Sequence, residues 1–255
     1  MLTPTKLAGP SQKVYYKTVL PLADSLAITL VWCPPGQFWM SRSLVVLTQG
    51  FFISRTLVTN QIWKYVMDGH TMGNGYQQSL FHAQQPVEGL SWDSAMTFCL
   101  KLTELLRAKG VLRRTQKITL PTEAQWEYAC RAGTQSVWHF GNDESKLQDY
   151  AWYRANSSEH AHPVGLKKPN QWGIVDLYGN LAEWCLDDYS PLIFSTSSQV
   201  DPLYQSEDAL LKVTRGGAYT HLASECDSAS REAILCHNPF SEPTGIRLIC
   251  KDEPN

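Results

Sequence analysis

The sequence predicts an α+β fold in which short strands and two main helices are separated by much irregular loop. Near the N-terminus, β-branched and aromatic residues recur in partly alternating runs, which is the pattern of strands. Two later stretches space their apolar residues as helices do. Between residues 134 and 212, Gly, Pro, Asn, Asp and Ser recur every few positions without helix-length periodicity, so long loops with short strands are expected there.

Composition and charge argue against two broad classes of protein. The 255 residues are 43% hydrophobic and 18% charged, with nine tryptophans and eleven tyrosines, which suits a compact fold with large core side chains. A formal net charge of −2 disfavours nucleic acid as an obligate partner, because phosphate binding leaves a basic footprint. No run approaches the ~20 apolar residues of a membrane span. The first residues also lack the pattern of a secretory signal.

The strands are expected in the first quarter of the chain, at residues 13–19, 27–32, 37–40 and 44–53. The Pro-Pro-Gly sequence at 34–36 separates the second from the third, and Gly50 interrupts the fourth. No internal repeat and no low-complexity linker is present. We therefore expect a single domain over residues 27–255, preceded by an N-terminal extension and first strand at 1–26.

Three helices are predicted from their caps and periodicity. Thr59 is the expected N-cap of the first and Gly69 its stop. Ser91 caps the second, which Gly110 ends. Thr122 opens the third, where it makes a capping box with Gln125. The apolar positions of the three helices are Ile62, Trp63, Val66 and Met67, then Trp92, Ala95, Met96, Cys99, Leu102, Leu105 and Leu106, then Trp126 and Cys130.

Six stretches, in order along the chain, carry a family resemblance. They are CPPGQFWM (33–40), TLVTNQIWKYV (56–66), PVEGLSWDSAMTFC (86–99), LPTEAQWEYACRAGT (120–134), KPNQWGIVDLYGNLAEWCLD (168–187), and RGGAY (215–219) paired with GIRL (245–248). Together they resemble the formylglycine-generating enzyme family, also called the sulfatase-modifying factor domain, over residues 27–250. The resemblance implies a C-type-lectin-like fold. It does not by itself imply an activity, because one fold hosts many functions.

The resemblance also locates the site where such enzymes bind copper. In them, two cysteines five residues apart follow the double glycine, and soft thiolates favour Cu(I). In this sequence the first position is His221 and the second is Cys226, so the thiolate pair is broken. Glu225 precedes Cys226, and a neighbouring carboxylate raises a thiol pKa and weakens thiolate chemistry. Formylglycine generation is therefore not expected; the sequence favours a role without catalysis but leaves the question of enzymatic activity open.

Other candidates for chemistry have weaker support. The His160-Ala161-His162 sequence is expected to be an ordinary loop rather than a metal site, and Asp187 and Asp188 are expected to be exposed turn carboxylates. No cofactor is expected from the residues themselves. In many members of the resembled family the positions of Asn180 and Glu183 help to hold a structural calcium ion, which leaves calcium open as an alternative here. Seven cysteines form no CxxC, so zinc is not expected. Some secreted relatives form disulfides near Cys99, Cys130, Cys236 and Cys250; in a reducing compartment these are buried apolar residues.

The leading hypothesis is a non-catalytic protein that binds a ligand or receptor. Relatives without the cysteine pair include the variable proteins of diversity-generating retroelements, whose rigid scaffold displays a diversified C-terminal segment. Here that segment is residues 218–244, between the RGG and GIRL brackets, and Ala223, Ser228, Ala229 and Arg231 are expected scaffold. Its apolar anchors are Tyr219, Ile234, Leu235 and Phe240. Its other ligand-facing residues are Thr220, His221, Leu222, Asp227, Glu232, His237, Asn238, Ser241 and Glu242.

The ligand-facing residues of segment 218–244 are expected on the surface because ILCHNPF (234–240) does not alternate as a core strand does. The expected partner is a protein or cell-surface ligand, the expected state is a monomer, and the expected location is the cell surface or outside if an export signal was removed, otherwise the cytoplasm. Two alternatives stay open. One is an oxidoreductase of altered chemistry that uses Cys226 and His221; the other is a domain detached from a larger sensor or kinase.

Overall fold

The structure is a computed structural model that describes residues 5–8, 14–67, 83–194, 197–237 and 242–252. Its α-helices are α1 (Asn60–Val66), α2 (Trp92–Ala108) and α3 (Glu123–Arg131). Its strands are β1 (Thr5–Ala8), β2 (Val14–Ala23), β3 (Leu26–Cys33), β4 (Gly36–Met40), β5 (Ser43–Leu47), β6 (Phe51–Ser54), β7 (Gln116–Thr119), β8 (Ala151–Trp152), β9 (Tyr178–Gly179), β10 (Ala182–Asp188), β11 (Gln199–Val200), β12 (Leu211–Arg215), β13 (Arg231–Leu235), β14 (Thr244–Gly245) and β15 (Ile249–Asp252).

A six-stranded sheet in the order β1-β2-β3-β6-β15-β7 forms the centre of the domain. Helices α1 and α2 contribute to the core cluster on one face, and α3 contributes to the cluster on the other. Neighbouring residues of β3 divide between the two faces, with Leu30 in the first cluster and Val31 in the second. This is the period-2 alternation of a strand buried on both sides. The expected α+β fold is confirmed.

The helix termini agree with the predicted caps. The side chains of Thr59, Ser91 and Thr122 accept from backbone N–H groups in the first turn, and Thr122 and Gln125 complete the capping box. The second helix buries two residues that the predicted apolar face omitted, Phe98 and Thr103, and the ring of Phe98 stacks on Trp63 at 5.0 Å. The expected stop of the first helix, at position 69, lies outside the described residues.

A second sheet carries the last part of the chain. Its strand order is β13-β12-β10-β14, so β13 is an edge strand. Most pairings in the described residues are antiparallel, and the three parallel ones are short. Between α3 and β12 the chain is largely loop with short strands, as predicted, and has a 3-10 turn at Glu144–Asp149. No α-helix within the described ranges is long and apolar enough to cross a membrane.

Candidate functional site

The C-terminal segment leaves the second sheet at the end of β12 and returns to it as β13. Gly216 and Gly217 make the exit with φ of +90° and +68°, in a left-handed region that favours glycine. A Cβ atom at Gly217 would lie 2.7 Å from the Sγ atom of Cys226, so this glycine also lets the returning chain approach closely. Residues 218–230, which contain a 3-10 turn at Ala223–Glu225, are termed the display loop below.

A buried guanidinium holds the end of the display loop. Arg215, the last residue of β12, donates to the backbone oxygens of Ser228, Ala229 and Ser230 at 2.9, 2.7 and 2.6 Å. It also forms an ion pair with the carboxylate of Glu127 in α3. Since both charged groups are almost fully buried, the contact fixes the loop to the scaffold. Arg215, the arginine of the RGG bracket, therefore supports the segment that follows it.

A second arginine fixes the start of β13. Arg231 makes a bidentate ion pair with Glu123, with N–O distances of 2.6 and 2.5 Å. Its guanidinium lies 4.9 Å from the ring centre of Tyr189. Arg231 is an expected scaffold residue and is half-buried; Ala223 and Ser228 are buried, whereas Ala229 is exposed. Arg215 and Arg231 thus hold the C-terminal end of the display loop, at residues 228–231.

The Cys226 thiol is not built for thiolate chemistry. Its side chain has no exposed surface, and its Sγ atom lies 3.8 Å from the carbonyl oxygen of Ala218. Burial, together with the smaller effect of the carboxylates of Glu225, Glu232 and Asp227, raises the pKa of this thiol to about 12. The expectation that Glu225 opposes ionisation is correct in direction, but burial is the larger cause. Near neutral pH the thiol stays protonated in the absence of a metal ion.

His221, at the other position of the cysteine pair, interacts with backbone and carboxylates. Its Nδ1 atom lies 3.1 Å from the amide nitrogen of Ala218, which donates to it, and 3.3 Å from the carboxylate of Glu232. Its Nε2 atom lies 4.0 Å from Glu242. Within the described residues, no three His, Cys, Asp or Glu side chains are arranged to hold a metal ion. The His221 imidazole is thus engaged by the backbone of the display loop and by nearby carboxylates.

Several predicted ligand-facing residues do lie on the surface. Thr220, Leu222 and His237 are exposed, and Leu235 is 49% exposed. Leu235 pairs in register with Leu211 of β12, which is also exposed. Such adjacent aliphatic side chains on an open strand pair form an apolar contact surface.

Ile234 corrects the predicted site. It is 5% exposed and belongs to the core between the central sheet and helices α1 and α2, so it is not available to a ligand. Residues 233–237 alternate between exposed and buried along the chain. The sequence concealed this period because the exposed face carries Ala233 and Leu235, which are as apolar as buried residues. The expectation that residues 234–240 do not alternate between core and surface is therefore wrong for residues 234–237.

Other predicted residues have mixed roles. Tyr219 is half-buried, and its hydroxyl donates to Glu88 at 2.8 Å. Asp227 accepts from the backbone N–H groups of Ala229 and Ser230, so it shapes the loop. Positions 238, 240 and 241, which complete the predicted set with Asn238, Phe240 and Ser241, lie outside the described residues.

Three residues near this surface were missed by the sequence argument. Glu88 contacts Tyr219, and Asp93 lies with its carboxylate 2.6 Å from the Nδ1 atom of His237. Leu211 lies beside Leu235 on β12. Each is brought there by a contact between residues distant in sequence or by sheet pairing. No local motif signals them.

The proposed calcium ligands do not fit a calcium ion. The Glu183 carboxylate accepts from Arg247 at 2.7 and 2.8 Å and from the indole N–H of Trp126 at 2.6 Å. The side-chain oxygen of Asn180 accepts from the backbone N–H of His162 at 2.9 Å. Both groups are buried, and a cation at Glu183 would lie beside the Arg247 guanidinium. Their oxygens are used to join parts of the scaffold.

The His160-Ala161-His162 sequence forms a stacked loop. His162 lies 3.8 Å, centre to centre, from Trp152, and its Nε2 atom is 2.7 Å from the backbone oxygen of Ser157. His160 lies 4.4 Å from His162. These contacts agree with the expected loop role.

Asp187 and Asp188 are not the exposed turn carboxylates that were expected. Both are buried in β10. The Asp187 carboxylate accepts from the backbone N–H groups of Glu123 and Tyr204 at 2.8 and 3.0 Å. Asp188 pairs with Lys212 at 2.5 Å. The turn assignment failed because β10 continues four residues beyond Trp184 into a region covered by the loop that precedes β12.

Asp187 gives a prediction on pH. Burial raises its pKa to about 7, although the two backbone N–H bonds oppose this shift. As the pH rises above about 4, this carboxyl loses its proton in the unfolded chain but keeps it in the folded protein. The free energy of unfolding therefore decreases as the pH rises from about 4 to about 7. We expect Asp187→Asn to remove this decline, at up to about 1.4 kcal/mol per pH unit.

The measurement is urea unfolding of wild type and variant at several pH values. The exposed substitution Asp208→Asn is the control and is expected to leave the wild-type pH profile unchanged. Parallel profiles for wild type and Asp187→Asn would show that Asp187 titrates normally.

All seven cysteines lie in described parts of the chain, and all are free and buried. The disulfides that the resemblance implies for some secreted relatives, near Cys99, Cys130, Cys236 and Cys250, are not formed in this structure. Burial raises the pKa of Cys130 and of Cys250 to about 12. These thiols are core groups.

The fold and the site define a C-type-lectin-like α+β domain. Ion pairs fix its display loop, and the Cys226 thiol in that loop is inaccessible to solvent. The sequence model of the Sulfatase-modifying factor enzyme 1-like domain matches residues 20–251. The chain therefore belongs to the FGE-sulfatase family.

Curated relatives include the formylglycine-generating enzyme of Streptomyces coelicolor, 29% identical over 180 residues, which cover 66% of this chain and 52% of that protein. The enzyme of Thermomonospora curvata is 30% identical over 187 residues, with 66% and 56% covered. The chain thus spans about half the length of these relatives. Their activity is not transferred to it by this likeness.

Among solved structures, Treponema denticola variable protein 1 has a TM-score of 0.77 and 27% identity, covering 92% of this chain and 98% of that one. PvdO from Pseudomonas aeruginosa has a TM-score of 0.75 and 20% identity over the same shares, a likeness of fold alone.

Proposed function

We propose that this domain is a non-catalytic binding protein whose ligand, a protein or a cell-surface structure, contacts the display loop and β13. The observation that carries the proposal is the state of Cys226. It is fully buried, its pKa is raised to about 12, and His221 stands where the enzymes have their first thiolate. A family domain that lacks its reactive pair but retains a rigid loop is suited to recognition.

The supports of the display loop favour the same conclusion. Arg215 and Arg231 bind the loop and β13 to α3 through Glu127 and Glu123, so little ordering entropy is lost when a ligand binds. Thr220 and Leu222 project from this fixed base. Changes at such exposed positions cost little stability, because surface substitutions away from buried contacts are usually within ±0.5 kcal/mol.

We further propose that the segment is diversified by a retroelement. The overall likeness to a variable protein supports this, as does the division between a buried frame and exposed positions. The genomic neighbourhood tests it directly. A nearby, near-identical DNA repeat of codons 218–244 beside a reverse-transcriptase gene is the expected result, and a neighbourhood with neither would contradict diversification while leaving the binding role intact.

Tolerance of the surface to change is a testable expectation. A displayed library randomised at Thr220, Leu222, Ser224 and Leu235, all exposed, should remain folded and yield binders to a panel of unrelated purified proteins. The matched control randomises Ala223, Ser228 and Ile234, which are buried, and should lose most folded members. Equal loss of folding in both libraries, or a surface library without binders, would contradict the proposal.

Copper binding distinguishes the two functions. An oxidoreductase that uses Cys226 and His221 would bind copper, whereas the proposed binding protein would not. We expect the wild-type protein to bind no stoichiometric Cu(I) and to consume no oxygen with a cysteine-containing peptide. We expect Cys226→Ser to behave identically, because the thiol is protonated and enclosed. Stoichiometric copper with oxygen uptake, both lost in Cys226→Ser, would establish the oxidoreductase in its place.

A further inference from the structure

No described strand pairs with the outer edge of β13. The orientation of that edge follows from one hydrogen bond. The backbone N–H of Cys236 donates to Leu210, and hydrogen-bonded pairs in an antiparallel ladder recur at every second residue. The backbone groups of Glu232 and Ile234 therefore point to β12. Those of Arg231, Ala233 and Leu235 point away from it.

The opposite side of β12 agrees with this assignment. The N–H of Tyr189 donates to the oxygen of Leu211, so Leu211 directs its backbone away from β13, as the same alternation requires. Strand β13 pairs with β12 alone among the described strands. Ala233 and Leu235 are exposed on the outer side. This edge also lacks a proline, a lysine or a bulge, which proteins use to block unwanted pairing.

The two faces of the sheet beside this edge differ in chemistry. Ala233 and Leu235 lie on one face with Leu211 and are apolar and exposed, while Arg231, at the start of the same face, is 20% exposed and paired with Glu123. Glu232 lies on the other face, where Glu242 and Glu225 act on it electrostatically and add to the rise that burial causes in its pKa. His221 partly offsets this negative charge. A strand added to the edge would therefore meet an aliphatic surface on one side and carboxylates on the other.

We propose that β13 is the docking edge for an extended segment of a partner protein, which adds a strand to the sheet and alternates aliphatic with basic side chains. This inference rests on the proposed binding function and specifies its partner. Main-chain hydrogen bonds to Arg231, Ala233 and Leu235 supply affinity, and the alternating side chains supply specificity. The aliphatic residues contact Leu235 and Leu211, and a Lys or Arg lies near Glu232.

Charge excludes a second copy of this chain as the preferred occupant. Symmetric antiparallel pairing of two β13 strands would centre on Ala233 and align their free backbone groups. It would also bring the Glu232, Glu242 and Glu225 carboxylates of both copies to the same face of the joined sheet. Like charges in such proximity are destabilising, whereas a basic partner strand removes the conflict.

The probe for the test is a fluorescent synthetic peptide of alternating valine and lysine, titrated with the full chain by anisotropy. We expect saturable binding, with at least tenfold weaker binding of a valine–glutamate peptide. We expect Ala233→Pro to weaken binding at least tenfold, because it removes an outward N–H and leaves the ladder to β12 intact. Ala233→Val keeps that N–H and is the matched control, with affinity close to wild type.

A second measurement does not depend on the folding of a variant. A valine–lysine peptide N-methylated at alternate residues cannot pair along one edge, and we expect it to bind at least tenfold more weakly to the wild-type protein. Hydrogen exchange should slow at the amides of Ala233 and Leu235 when the unmodified peptide binds. Binding weaker than about 1 mM, or binding insensitive to N-methylation, would overturn the proposed pairing.

Two outcomes separate this inference from the binding function as a whole. If library-selected ligands bind the Ala233→Pro protein undiminished, the edge is not the docking site although the protein still binds through its display loop. If the wild type is a dimer by size-exclusion chromatography and Ala233→Pro is a monomer, the edge belongs to a second copy and the inference is wrong.

Discussion

Arg215→Met is expected to lower the free energy of unfolding by about 3–5 kcal/mol, because removing a cation from a buried ion-pair network leaves the remaining carboxylate charge only partly compensated. The group left behind is the buried carboxylate of Glu127, whose remaining ion-pair partner is Arg131 at 2.8 Å. The carbonyl oxygens of residues 228–230 lose their donors in the same step. Urea unfolding of wild type and variant measures the loss.

The variant Arg215→Lys separates charge from geometry. Lysine keeps the positive charge but cannot present the planar, multiply donating fork that reaches three carbonyls and a carboxylate together. We expect it to recover part of the stability and to leave the amides of residues 226–230 exchanging faster with solvent than in wild type. Wild-type exchange in Arg215→Lys would show that the loop is held by other contacts.

Much of the scaffold could be predicted because its signals are local. Thr122 and Gln125 form a capping box, which predicts the start of α3 from four residues. Gly50 predicts the break between β5 and β6, and it lies in the loop that joins them. The family motifs fixed the order of the remaining elements. The predicted element is confirmed where a single local motif determines it, as at Thr122 and at Gly50.

The exposed and buried residues of the candidate site were harder to assign. Ile234 is core because α2 covers its face of β13, and no neighbour in sequence reports that cover. Asp187 is buried because its carboxylate meets Glu123 and Tyr204, which are respectively 64 and 17 residues away. Both errors come from tertiary contacts that override local composition. The same limit explains why Glu88 was not associated with Tyr219.

Glu183→Gln is expected to cost about 3–5 kcal/mol of stability, since it leaves the Arg247 guanidinium without its buried counter-charge. Arg247 donates to both oxygens of Glu183 and to the backbone oxygens of Ser54, Val175 and Asp176. It thereby joins β6 to β10 and to the loop before β9. The exposed substitution Glu144→Gln is the control and should lie within ±0.5 kcal/mol of wild type.

The same residue decides between an ion pair and a calcium ligand. If Arg247 is the counter-charge of Glu183, EDTA leaves the wild-type unfolding midpoint unchanged, and added calcium stabilises neither protein. A calcium ion bound to Glu183 would instead make wild-type stability rise with calcium concentration by mass action, and Glu183→Gln would abolish that rise. Because the carboxylate already accepts from the Nε and Nη2 donors of Arg247, in three contacts, and from the indole N–H of Trp126, the first result is expected.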